Sequence, residues 1–165
     1  MTAIQLLFAQ KSWANNELFN LLATVDPSAH AGALHAAIRV LNHVHVVDRI
    51  FQANLLGERH AYASTNTERT PELSELQFSV AETDRWFEQF VSTLPVDQLH
   101  ESARFRFSDG DTGTMTREEM LVHVITHGSY HRGSVGQILR SIDVALPRDI
   151  LTRFLHINEP GRRWS

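Results

Sequence analysis

Cysteine is absent from this 165-residue chain, which excludes disulfides, thiolate metal ligands and a cysteine nucleophile. Proline and glycine are scarce, 5 and 8 copies, and fall mostly between long helical patterns, so a loop-rich or low-complexity chain is excluded. No apolar run approaches the ~18 residues of a membrane-spanning helix. The start, Met1-Thr-Ala-Ile-Gln, lacks the basic and apolar segments of a signal peptide. A cytoplasmic protein with no membrane partner is expected. A basic patch is lacking too: the formal net charge is -4 and like charges never run beyond a few residues, so nucleic acid is not an expected partner.

What the chain has in abundance is histidine, 10 copies against 15 Lys plus Arg. Histidine is the commonest metal ligand and the usual acid or base near neutral pH, so its spacing becomes the question. The 42% apolar content is ordinary for a globular protein, and the length suits a single domain, residues 1–165, around one core.

Apolar periodicity predicts a first helix from about Thr2 to Val25, stopped by Asp26-Pro27-Ser28. A second runs from about Ala31 to Leu56 and ends at Gly57, a C-cap residue. Residues 58–70 are polar and read as a loop. Thr70-Pro71 is expected to cap and open a third helix reaching about Leu94. The alternation of Ala103-Arg-Phe-Arg-Phe before Asp109-Gly predicts a small hairpin or extended loop. Thr116-Arg-Glu-Glu119 has the form of a capping box and opens a fourth helix to about Ser141, with a short helix expected within Arg148 to His156. The fold class expected is all-α, an antiparallel four-helix bundle with a small hairpin or extended loop before the fourth helix.

His123, His127 and His131 succeed one another at intervals of four, so they stack along one helical face. The stripe of His127 and His131 also carries Met120, Val124, Val135 and Ile138, which turns it inward. Buried imidazoles need partners. A metal satisfies one nitrogen of each, although the spacing alone equally fits a histidine-rich face that only makes hydrogen bonds. On the second helix, His43 shares a stripe with Ala36, Val40, Val47 and Ile50, whereas His45 sits with Asn42, Arg49 and Gln52 on a polar face. An inward histidine opposite an inward pair is how helical bundles commonly build metal sites, so His43, His127 and His131 are the candidate ligands.

Leu41-Asn42-His43 with Val47-Asp48-Arg49-Ile50, His127-Gly-Ser-Tyr-His131-Arg132-Gly133, and Lys11-Ser-Trp13-Ala14-Asn15 lie in order across nearly the whole chain. Together they resemble the DinB family, the DNA-damage-inducible, YfiT-like group of metalloenzymes, unrelated to the DNA polymerase that shares the name. Ser134 stands where that family often has Gln after Arg-Gly. The resemblance implies a four-helix bundle, often dimeric, in which His43, His127 and His131 hold a divalent metal. It implies a supporting or structural role for His123. Trp13 is expected to pack in the core, Asp48 and Arg49 to form an ion pair, Arg132 to make a salt bridge and Tyr130 to line the pocket.

Three neutral imidazoles leave an ion its full charge and an open position, where bound water would titrate near about pH 7. The expected cofactor is one divalent transition metal, zinc or nickel, with iron or copper also suited to imidazole, together with a low-molecular-weight thiol. The function expected is that of a metal-dependent enzyme activating a small thiol or water for a small-molecule substrate. It resembles a thiol S-transferase, that reading resting on the family. The alternatives are a metal-dependent hydrolase and a non-catalytic metal-binding stress protein. A homodimer is expected. Unshifted imidazoles would release their metal as the pH falls through roughly 6 to 5.

Overall fold

The computed structural model describes residues 1–107, 110–162 and 164. It is mostly helical: α1 (Ala3–Leu22), α2 (Pro27–Leu56), α3 (Leu73–Thr93), α4 (Arg117–Arg140) and a short α5 (Leu151–Asn158). A two-stranded antiparallel sheet, β1 (Ser102–Arg106) with β2 (Thr112–Thr116), precedes α4. A 3-10 turn, Val96–His100, links α3 to β1. Among the described residues, no helix is long and apolar enough to cross a membrane.

Local chemistry explains most of the boundaries. Thr2 caps α1 with Gln5 returning a bond to the cap backbone, and Thr116 with Glu119 does the same for α4. Asp26 caps α2, with Pro27 at its first turn. Gly57 closes α2 in the left-handed region at φ 70°, a conformation costly for other residues. The third helix starts later than Thr70-Pro71 suggests. A box formed by Glu72 and Glu75 wins the cap position, and residues 58–72 all belong to the preceding connection. The hairpin forms where the alternation placed it, with Phe105 facing the core opposite Gly113. Its turn residue Asp109 lies outside the described residues; Gly110 takes φ 100°.

The core has two apolar clusters at opposite ends of the long helices. One contains Phe8, Phe51, Phe87, Phe105, Met120 and Val124, the other Leu18, Phe19, Leu34, Leu41, Val80 and Leu139. Following each helix from one cluster to the other gives its direction. The first and fourth run one way; α2 and α3 both run the other. The strictly antiparallel order expected from the sequence is therefore corrected: α2 and α3 are parallel neighbours. The polar connection 58–72 makes this possible, because fifteen extended residues reach roughly 50 Å while the stretch of α2 from Leu41 to Leu55 rises only about 21 Å. The connection descends alongside α2, with Asn66 donating to the Arg39 carbonyl at 3.0 Å and Asn42 donating to Thr67 at 2.6 Å.

Between the two apolar clusters lies a polar layer. Lys11, fully buried, sits 2.8 Å from Asp48 and 2.5 Å from Asp84, both also buried, so one ammonium ties α1 to α2 and α3. Asn15 donates to the other oxygen of Asp84 at 2.8 Å and accepts from Arg132 at 3.2 Å, bringing in α4. Arg132 donates to Asp149 at 2.6 Å, and Gln10 donates to the same carboxylate, which pins the segment before α5. Trp13 is displaced from its expected core place. It stacks obliquely on Phe154 of α5, with Arg153 over its ring at 5.7 Å.

Removing one member of a buried ion group strands the others, at a cost of about 3–5 kcal/mol. Lys11→Met is therefore expected to lower the melting temperature by on the order of 10 °C, given about 2–4 °C per kcal/mol for a chain of this size. A calorimetric scan checks this; a shift of a degree or two would show that the ammonium is dispensable.

Candidate metal centre

His43 projects from the middle of α2, and His127 and His131 from successive turns of α4, at the height of the polar layer. One ring nitrogen from each lies within 4.8 Å of the others, and all three side chains are half-buried. The Nε2 atoms of His43 and His127 stand 3.1 Å apart. Two nitrogens bound tetrahedrally at ~2.0–2.1 Å from one ion are separated by about 3.3 Å, so this spacing suits a shared cation. The rings of His43 and His131 meet edge-on at 4.8 Å, and those of His127 and His131 at 4.5 Å.

The far side of His43 carries the more telling contact. Its Nδ1 lies 2.7 Å from the carbonyl oxygen of Thr65, and a carbonyl only accepts, so Nδ1–H donates. That assigns the lone pair to Nε2, the atom facing the cluster, and the backbone of residues 58–72 thereby fixes the ligand tautomer. The residues present fit a divalent metal on this ground.

Burial, and then the neighbouring His131, His43, His123 and Lys11, push the His127 pKa down to about 3. Burial and His43 also lower His131. These shifts favour neutral rings at His127 and His131, as ligands must be. His123 stays outside the cluster. Its ring stacks on His127 at 5.3 Å and on Phe51 at 4.5 Å, walling the site toward the apolar end of the core.

Other expectations are corrected by packing. Neither His45 nor Asn42 lies on a solvated face: residues 58–72 cover Asn42, and burial, then Arg49 and Lys11, lower His45 to about 4. Asp48 pairs with Lys11 across the core instead of with Arg49, which is exposed and donates to Gln52. Burial raises the Asp48 carboxyl to about 6 against the pull of Lys11. Arg132 does make a salt bridge, to Asp149. Tyr130 is 74% exposed and touches the site only through its edge-on contact with His131 at 5.1 Å.

The sequence reading passed over the buried charges, although a signal was there. Lys11 falls on the stripe of Leu7, Ala14 and Leu18, Asp48 on that of Val44, Phe51 and Leu55, and Asp84 on that of Val80, Phe87 and Val91. A charge at an apolar stripe position is an inward charge in need of a partner.

His127→Ala is expected to abolish stoichiometric metal retention measured by elemental analysis, while His45→Ala keeps it. A second expectation concerns acid stability of the metal-free chain. The folded pKa values of His45 and His127 lie below the ordinary 6.5, so the unfolded chain binds protons that the folded one refuses. Stability is present above pH 6.5 and is lost as the pH falls from there toward about 4. His45→Gln should flatten that decline by up to about 3 kcal/mol in urea titrations, and an unchanged slope would refute the assignment.

Comparison with known proteins agrees with the resemblance that these motifs carry. The DinB family model matches residues 1–162. The chain is 26% identical over 148 residues to the protein named Protein DinB of Bacillus subtilis (strain 168), covering 84% of this chain and 86% of that protein. The chain belongs to the DinB family.

Proposed function

We propose that His43, His127 and His131 hold one divalent transition metal, zinc or nickel, and that the protein is a metal-dependent enzyme activating a small thiol, with a thiol S-transferase as the reaction class. The four long helices act as a four-helix bundle that presents these ligands on one side of its polar layer. The observation that carries the reading is the His43 tautomer, set by the Thr65 carbonyl so that a lone pair faces two neutral imidazoles. A dipositive ion held by three neutral ligands supplies Lewis acidity that lowers the pKa of a thiol brought to it.

The chain's own residues supply the rest. The His127 environment keeps protons off the ligand atoms, and Phe51 and His123 exclude water from the inner side. The outer side, toward Tyr130, stays accessible to a small molecule. Cobalt(II) substitution tests the reading. Glutathione is expected to produce a saturable near-ultraviolet sulfur-to-cobalt band, absent in His131→Ala. Because the chain holds no cysteine, any such band belongs to the added thiol. A spectrum that responds to carboxylates and to no thiol would favour hydrolysis instead.

We also propose a homodimer. Large apolar side chains stand exposed on several helices, Phe78 on α3 at 69%, Val122 on α4 at 44% and Ile157 on α5 at 49%. Light scattering at micromolar concentration is expected to give twice the 18.7 kDa chain mass; the single-chain mass would overturn this.

A further inference from the structure

A cavity of about 1000 Å³ opens between the C-terminal end of α2, the start of residues 58–72 and the hairpin, where it is lined by Asn54, Arg59, His60, Tyr62, Arg104 and Arg106 among others. Its charge runs against that of the molecule. The chain carries a net charge of -4, yet the described residues of this wall include three arginines against one carboxylate, Glu58. Among the described residues, none of the three makes a side-chain hydrogen bond or ion pair; Arg140 and Arg148 are likewise unengaged, while Arg39, Arg117 and Arg132 are engaged. Two polar atoms of residues in the same wall, Asn54 Nδ2 and His60 Nδ1, are buried with no hydrogen-bond partner among the described residues.

The cavity and the histidine cluster share one structural strip. Residues 58–72 supply His60 and Tyr62 to the cavity and the Thr65 carbonyl to His43. Tyr62 and Thr65 are three residues apart, at most about 10 Å of chain. A packed run of rings closes the inner side between the two places, His127 on His123, His123 on Phe51, and Phe51 against Phe105 at 6.2 Å, so a molecule reaching both runs outside these rings, along the strip. Asn54 lies eleven residues beyond His43 on α2, about 16 Å of helical rise. A molecule of tripeptide length spans that interval.

We propose that this cavity binds the anionic tail of the small molecule whose reactive end reaches the histidine cluster, with Arg59, Arg104 and Arg106 pairing its carboxylates or phosphate and Tyr62 flanking its body. The assignment deepens the thiol reading above and rests on it for the identity of the reactive end, but the anion site is testable without it. Guanidinium groups suit planar, bidentate recognition of carboxylate and phosphate, and unpaired ones around a concavity keep that capacity free.

The test uses thioethers, which cannot form thiolates. S-methylglutathione carries carboxylates, and the S-methyl thioether of 4′-phosphopantetheine carries a phosphate. Each is titrated calorimetrically into the full chain at low and high salt. Salt-sensitive binding of one of them is expected, and which one binds assigns carboxylate or phosphate to the tail. Arg104→Gln/Arg106→Gln should weaken it on the order of tenfold or more, with melting temperature and metal content unchanged because both side chains are exposed and unpaired. The cobalt response to 2-mercaptoethanol, a thiol with no anionic tail, should be unaltered in that variant. Binding of neither thioether by the wild type, or equal affinity in the variant, overturns the anion site and leaves the thiol reading standing. Arginine-dependent binding in a protein whose cobalt spectrum ignores every thiol supports the anion site and overturns the thiol reading alone.

Discussion

A lysine ammonium held between two carboxylates at the centre of the core is the constraint on which the rest of the structure depends. Burial alone would strip Lys11 of its proton, yet the attraction of Asp48 and Asp84 outweighs it and raises the pKa above the usual lysine value. The group is satisfied only when α1, α2 and α3 stand at one mutual height, since a single Lys11 ammonium must meet both Asp48 and Asp84. Asn15 and Arg132 extend the same condition to α4. Apolar clusters above and below tolerate small slides of one helix on another, because dispersion and burial are not directional. A charge with fixed partners does not. The polar layer sets the register that the apolar ends then fill.

That register is also what brings the histidines together. His43 and Asp48 are five residues apart on α2, and His127 and Arg132 five apart on α4, about 7.5 Å of helical rise, so on each helix a candidate ligand lies within about a turn and a half of a member of the charged layer. Gly128, next to His127, lets the two systems approach. A methyl group there would sit 3.1 Å from an Arg132 nitrogen and 3.5 Å from Lys11 Cε, so only the bare backbone leaves both undisturbed. On this view the Lys11 layer positions the ligands without touching the ion.

Much of this was legible in the sequence, and for a physical reason. Capping chemistry is local, so Thr116 to Glu119 could be read without knowledge of any neighbour, and the spacing of four between His127 and His131 fixes a shared face whatever surrounds the helix. His43 was legible because an apolar stripe identifies the inward side. Direction was not. Whether α3 returns parallel or antiparallel to α2 depends on where residues 58–72 lie, and a polar connection carries no periodicity to say so. The burial of Asn42 escaped the sequence for the same cause, because the segment that covers it is irregular. Thr70-Pro71 misled for a different one: two adequate cap signals lay within five residues, and Glu72 with Glu75 prevailed.

The irregular segment that the sequence described least is thus the one nearest the chemistry. It buries the outer face of α2, orients His43 through a backbone carbonyl, and forms part of the arginine-rich cavity wall. Using a carbonyl for the His43 contact has a consequence. A carboxylate there would add negative charge beside the ligand and soften the ion it holds, whereas a neutral carbonyl fixes the tautomer and leaves the ion's full charge for whatever enters the open side. The negative charge of Asp48 and Asp84 is meanwhile offset in part at Lys11, one layer inward. These carboxylates pair within the core and stay out of the histidine cluster, so a metal held there would keep its Lewis acidity by placement as much as by ligand choice.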